Sequence, residues 1–124
     1  MALEKKKILV VDDEVDIVEI LQSRLKEHDY DVVCAFDGEE ALLKTRQEKP
    51  DLVILDIMLP KMDGYEVCSI IRSEEAVKNI PIVMLTACSR MDNIKKGMDL
   101  GAVSYVAKPL KLDVLLGIIK AILP

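Results

Sequence analysis

The chain has 124 residues, which suits one compact domain, 1–124, with a real interior. Its net charge is −5, with no basic block beyond Lys5-Lys6-Lys7, and this argues against nucleic acid as a direct ligand. No apolar stretch approaches the roughly 18–20 residues of a membrane span, and the N-terminus lacks a signal core, so no membrane insertion or export is expected. The odd set Cys34, Cys68 and Cys88, without CxxC spacing, argues against a disulfide framework or zinc site and fits a reducing cytoplasm.

Strand and helix patterns alternate from end to end. The first strand is expected over Ile8–Asp12, and the first helix over Val15–Glu27 with Ile17, Val18, Leu21 and Leu25 on one face. Asp31–Ala35 reads as a second strand. Asp37-Gly38 opens a helix to Gln47 with Ala41 and Leu42 inward, and Pro50-Asp51 breaks it before a third strand, Leu52–Asp56. A loop through Asp63-Gly64 leads to a helix over Tyr65–Arg72. Pro81 precedes the fourth strand, Ile82–Thr86. A helix over Met91–Leu100 follows, with Met91, Ile94 and Met98 as a core stripe and Gly101 as its stop. Ser104–Ala107 is a short fifth strand, and Leu112–Leu123 the last helix.

Such alternation predicts an α/β fold with a parallel sheet covered by helices on both faces. Five strands are too few for a closed barrel. The expected fold is a doubly wound, flavodoxin-like (βα)5 sheet in the order 2-1-3-4-5.

Two apolar runs end in acid: Ile8-Leu9-Val10-Val11 before Asp12-Asp13, and Leu52-Val53-Ile54-Leu55 before Asp56. In the expected order these strands are neighbours at the switch point, so the three carboxylates meet at the sheet edge where ligands bind. They would repel without a compensating cation. Carboxylate oxygens suit a hard cation, and Mg²⁺ is the usual choice. Beside a metal, one carboxylate can act as a nucleophile toward phosphorus. Phosphoryl transfer also asks for a cation and a hydroxyl, and Lys108 and Thr86 end strands at the same edge. A phosphoryl group adds about −1.5 to −2 of charge and would draw Thr86 and Lys108 inward.

Asp12-Asp13, Asp56, Thr86-Ala87 and Lys108-Pro109, each after its strand, resemble the two-component response-regulator receiver domain, as do the Asp56-Ile57-Met58-Leu59-Pro60 segment with Asp63-Gly64 behind it and Gly101-Ala102. The resemblance covers essentially the whole chain and is chemotaxis-regulator-like. It implies Asp56 as phosphoacceptor, Asp13 as direct metal ligand with Asp12 acting largely through water, and the backbone carbonyl of Met58 as a further ligand. It implies Lys108 as the phosphate-binding lysine, in a Lys108-Pro109 bond that is cis in the family. Thr86 and Tyr105 match the switch pair. Met58 and Cys88, two residues beyond Asp56 and Thr86, match positions that tune phosphoryl lifetime.

The implied partner is a sensor histidine kinase or a histidine phosphotransfer protein. The implied output is a conformational change of the face formed by the fourth helix, fifth strand and fifth helix. The domain would catalyse only its own phosphoryl transfer and autodephosphorylation, and so is not expected to be an enzyme toward other substrates. Val103 stands where the family often has an acid, and Leu110 where it often has Phe, which bears on partner choice. The last helix carries Val114, Leu115, Ile118, Ile119 and Ile122 as an expected core stripe. Leu112, Leu116 and Leu123 extend apolar surface around it, a candidate homodimer or downstream-partner face.

Three alternatives stand beside this reading. The chain could be the receiver fragment of a longer regulator with a DNA-binding or enzymatic output. An aspartate-nucleophile phosphatase would want a second Asp at Met58. A flavin binder would want hydroxyls and glycine where Asp12-Asp13-Glu14 stand.

Overall fold

A computed structural model describes residues 5–87 and 91–124, with side chains throughout except at 91–93. Ten elements alternate: β1 (Lys7–Val11), α1 (Val15–Glu27), β2 (Asp31–Ala35), α2 (Gly38–Glu48), β3 (Leu52–Asp56), α3 (Gly64–Ser73), β4 (Ile82–Thr86), α4 (Met91–Asp99), β5 (Ser104–Ala107) and α5 (Leu112–Ile122). The strands form one sheet in the order β2-β1-β3-β4-β5, every pair parallel.

The apolar runs are strands because both of their faces are buried. Ile8, Val10, Leu52, Ile54, Val83 and Leu85 point to one face, where Val18, Leu21 and Leu25 of α1 and Leu115 and Ile119 of α5 cover them. Leu9, Val11, Val53, Leu55, Ile82 and Met84 point to the other, against Ala41 and Leu42 of α2 and Val67, Cys68 and Ile71 of α3. Two-residue alternation thus builds two core layers from one sheet. Each such Leu, Ile or Val contributes about 1.5–3 kcal/mol on full burial.

Helix starts follow capping chemistry. Asp37 accepts the Glu40 N–H at 2.8 Å and Asp63 accepts the Glu66 N–H at 2.9 Å, each satisfying a donor that α2 or α3 would otherwise leave open. Gly101 closes α4 at φ 106°, a left-handed conformation suited to glycine. Its carbonyl takes two bonds from the Arg72 guanidinium, at 3.0 and 2.7 Å. The same guanidinium reaches the carbonyls of Lys78 and Ile80, tying α3 to the segments that precede β4 and β5.

Several expectations need correction. The first strand ends at Val11 rather than Asp12, although the Asp12 N–H still bonds Ala35 O at 3.2 Å. α2 and α3 extend slightly beyond the expected limits, because the caps admit Gly64 to α3 and α2 continues to Glu48; α4 and α5 each stop one residue early. Val114 is exposed and not part of the core. The buried line of α5 runs through Leu115 and Ile119, and Val114 lies about 100° around the helix from Leu115. Met98 is also exposed, and Ile94 is only half-buried. Met98 is therefore not core, and among the described side-chain positions of α4 the buried one is Gly97, where a Cβ would lie 3.6 Å from Met84. The Met91 side chain and Cys88 lie outside the described residues. Cys68 is buried as expected, and Cys34 is half-buried.

Candidate phosphoryl-acceptor and metal site

Sheet register assembles the site. β1 and β3 are paired neighbours, with Val11 opposite Leu55, so Asp12 and Asp56 leave the sheet side by side. β3 pairs with β4 to place Asp56 opposite Leu85, and β4 pairs with β5 to place Thr86 opposite Ala107. The five expected side chains Asp12, Asp13, Asp56, Thr86 and Lys108 therefore share one edge. The Lys108 N–H donates to the Thr86 carbonyl at 2.7 Å, fixing where the lysine starts. The Lys108–Pro109 bond is cis, as the family resemblance implies.

The three aspartates differ in environment. Asp12 is fully buried at 0 % exposure and Asp56 nearly so at 3 %, while Asp13 is exposed. Asp12 Oδ1 accepts the Glu14 N–H at 2.9 Å, and Asp56 Oδ1 accepts the Met58 N–H at 3.3 Å. Asp13 has no hydrogen bond or ion pair among the described residues. One carboxylate oxygen from each of the three lies within 4.8 Å of the others. An all-oxygen donor set of this size and charge fits a hard divalent cation such as Mg²⁺, with Asp12, Asp13 and Asp56 as the residues to hold it.

Lys108 is already inside the crevice. Its Nζ lies 2.9 Å from Asp12 Oδ2 and 3.1 Å from Asp56 Oδ2. Nothing has to draw it inward from solvent, contrary to the sequence-based expectation. A third carboxylate, Glu14, pairs with the same ammonium at 3.1 Å. Sequence reasoning counted Glu14 only as an acid that would repel a flavin phosphate. The available signal was its place one residue past the acid pair, at the start of α1 and at the edge Lys108 occupies.

Burial is the main influence on Asp56. It pushes the carboxyl up from 3.8 to about 6; the Asp12 charge adds to the rise, and Lys108 and the Met58 N–H oppose it. For Lys108, burial alone would lower the ammonium, but the surrounding carboxylates of Asp12, Asp56 and Glu14 outweigh that and hold it above its ordinary value.

The remaining expected residues surround this centre. Thr86 is buried at the end of β4. Tyr105 is 40 % exposed. Thr86 and Tyr105 both line a cavity of only about 10 Å³ with Met84, Gly97 and Ala102, far too small for a phenol ring. The Met58 side chain is exposed in the loop after β3. Gly64 allows α3 to start against this loop: its N–H bonds Ile57 O at 2.8 Å, and a Cβ there would sit 2.5 Å from the Asp56 carbonyl oxygen. A groove of about 600 Å³ borders the crevice, lined by Ile17, Ile20, Pro109 and Leu110 with Glu14 and Lys108 at its inner end.

Comparison with known proteins gives a consistent result. The family model for the response regulator receiver domain matches residues 8–120. The alkaline phosphatase synthesis transcriptional regulatory protein PhoP of Bacillus subtilis is 50% identical over 95% of this chain and 48% of its own length. A probable transcriptional regulator, ycf27, of Cyanophora paradoxa is 52% identical over 88% of this chain and 44% of its own length. The chain thus spans about half the length of the curated relatives it matches. Among solved structures, a two-component response regulator from Clostridium difficile superposes with a TM-score of 0.90 at 34% identity, covering 96% of both chains. The chemotaxis response regulator CheY4 of Vibrio cholerae does so with a TM-score of 0.90 at 31% identity, covering 95% of this chain and 98% of that one.

Proposed function

The chain belongs to the response-regulator receiver family, and on that premise we propose that it accepts a phosphoryl group on Asp56 from a phosphohistidine donor. The observation that carries this reading is the surrounding of Asp56: two further aspartates with oxygens within 4.8 Å, and a lysine ammonium at 3.1 Å. In the transfer, an Asp56 oxygen bonds to phosphorus as the phosphorus–nitrogen bond to the donor imidazole breaks. The imidazole nitrogen keeps the bonding pair and takes a proton. Lys108 neutralises charge on the phosphoryl oxygens, and the Thr86 hydroxyl offers a further donor. Attack of water on phosphorus later releases inorganic phosphate and restores Asp56.

Mg²⁺, when bound, would shield the negative charge that otherwise repels the phosphoryl oxygens. Asp13 suits direct ligation, because its carboxylate is exposed and unengaged among the described residues. Asp12 is already held by the Glu14 N–H and Lys108, which suits action through water. The Met58 carbonyl would complete the protein ligands. The domain's own chemistry is confined to this acceptance and hydrolysis.

Response regulators partner with histidine kinases. The groove of Ile17, Ile20, Pro109 and Leu110 gives a sensor kinase or histidine phosphotransfer protein apolar surface beside the acceptor. For output, Tyr105 and Thr86 face a cavity that cannot take the ring as it stands, so inward motion of Tyr105 would need α4 to shift. The α4–β5–α5 face would carry the signal to a second copy or a downstream partner. No helix among the described residues is long and apolar enough to cross a membrane. Because the curated relatives named here are transcriptional regulators of about twice this length, we read the domain as the phosphoryl-controlled part of a longer DNA-binding regulator. Acetyl phosphate labelling of the wild-type and Asp56→Asn proteins in Mg²⁺ tests the acceptor assignment.

A further inference from the structure

We propose that Glu14 is a positioning residue for Lys108: it shares the ammonium with Asp12 and Asp56 in the resting protein and releases it when a phosphoryl group occupies Asp56. The inference rests on the acceptor reading above and adds to it a residue outside the aspartate cluster.

An ammonium has three protons to donate. Among the described residues Lys108 Nζ has three carboxylate partners: Asp12 Oδ2 at 2.9 Å, Asp56 Oδ2 at 3.1 Å and Glu14 Oε1 at 3.1 Å. The ammonium is engaged before any phosphoryl group arrives, by hydrogen bonds to Glu14 and Asp56 and by an ion pair with Asp12, so a phosphoryl oxygen competes with these partners. The three are not equally easy to displace. The Asp12 side chain is 0 % exposed and would be left as a buried, unpaired charge, while the charge of Asp56 passes to the phosphoryl group it carries, so that its pair with Lys108 is replaced by one to the phosphoryl oxygens. The Glu14 side chain is 60 % exposed and would be solvated on release.

Glu14 is also placed firmly enough to act this way. Its N–H is held by Asp12 Oδ1 at 2.9 Å, and its carbonyl accepts the Val18 N–H at 3.2 Å. The carboxylate therefore reaches Lys108 from a fixed backbone position across 94 residues of sequence. A competing explanation is that Glu14 simply favours the positive end of α1. That role would affect helix stability and would be indifferent to Lys108.

The test uses beryllofluoride, a phosphoryl mimic, titrated in Mg²⁺ and followed by amide NMR shifts. Glu14→Gln keeps the size of the side chain and removes its charge. Loss of an exposed ion pair from the resting state should tighten mimic binding about two- to fivefold, less at high salt. In a Lys108→Met background the tightening should fall to less than half, because the coupling runs through the ammonium. Equal tightening in both backgrounds, or none in either, would overturn the proposal while leaving the acceptor reading in place. Absence of mimic binding by the wild-type protein would overturn both. If Lys108→Met does not fold or bind, lysine ammonium NMR of the resting protein decides. A Lys108 signal protected from exchange in the wild type and lost in Glu14→Gln supports the proposal; an unchanged signal refutes it.

Discussion

Lys108 Nζ lies 3.1 Å from Asp56 Oδ2, so the cation rests on the proposed acceptor before any phosphoryl group arrives. This contact partly neutralises a carboxylate cluster that would otherwise be strongly self-repelling. It does not balance it, since three aspartates and Glu14 face a single ammonium. On the proposed reading, the residual repulsion would favour a divalent cation and make stability respond to pH.

The first prediction concerns that repulsion. A carboxyl raised from 3.8 to about 6 in the folded protein is held there chiefly by burial, with Asp12 adding. Its contribution to stability is full below pH ~4 and is lost as pH rises through about 6. In metal-free buffer at pH 7–8, Asp56→Asn should be more stable than the wild type by about 1–3 kcal/mol. The difference should shrink toward zero near pH 4, where Asp56 is itself neutral. Urea melts in EDTA at the two pH values check this; a variant less stable at both would show that the Lys108 contact outweighs the repulsion.

Metal binding should separate the aspartates. Asp13→Asn removes an exposed, unengaged carboxylate and should weaken Mg²⁺ binding about tenfold or more without loss of thermal stability. Asp12→Asn removes a buried partner of Lys108, so it should alter both affinity and stability. Calorimetric Mg²⁺ titration beside thermal melts distinguishes them. Equal effects of the two variants on both readouts would contradict the assigned division of roles.

Gly64 links the helix layer to the acceptor. A Cβ there meets the Asp56 carbonyl oxygen at 2.5 Å and Ile57 Cα at 2.8 Å, and neither can move without disturbing the end of β3. Gly64→Ala should cost about 1–3 kcal/mol and weaken Mg²⁺ binding as well. A variant with lowered stability but unaltered Mg²⁺ affinity would show that the strain spreads away from the site.

Donor recognition is tested through the apolar groove. Ile20 is exposed on α1 and lines the groove next to Lys108 and Pro109. Ile20→Asp should lower the rate of transfer from a phosphohistidine protein about tenfold relative to the rate from acetyl phosphate. A constant ratio of the two rates would place the donor elsewhere.

Much of this architecture is legible in the sequence because the strands that build the site are buried on both faces. The runs ending in Asp12 and Asp56 have no polar residue to blur their limits. Once they are strands, the alternation with helices dictates parallel order, and order dictates that the acids meet. Thr86 and Lys108 follow by the same logic at the ends of β4 and β5. What remained hidden depends on side-chain direction. The Glu14–Lys108 pair joins residues from opposite ends of the chain through two flexible side chains. The exposure of Tyr105 is set by packing beside α4, which its own place in the strand pattern does not specify. Val114 was misread because α5 is apolar over much of its surface, so hydrophobicity alone does not mark which stripe faces the sheet.

The central claim is that Asp56 is the phosphoacceptor, and covalent labelling tests it most directly. The wild-type protein and Asp56→Asn are incubated with acetyl phosphate and Mg²⁺, and intact mass is recorded before hydrolysis. The wild type should gain a single phosphoryl group, lost again in EDTA-free buffer over time, and the variant should gain none. Equal labelling of the variant, or no labelling of the wild type, would contradict the assignment.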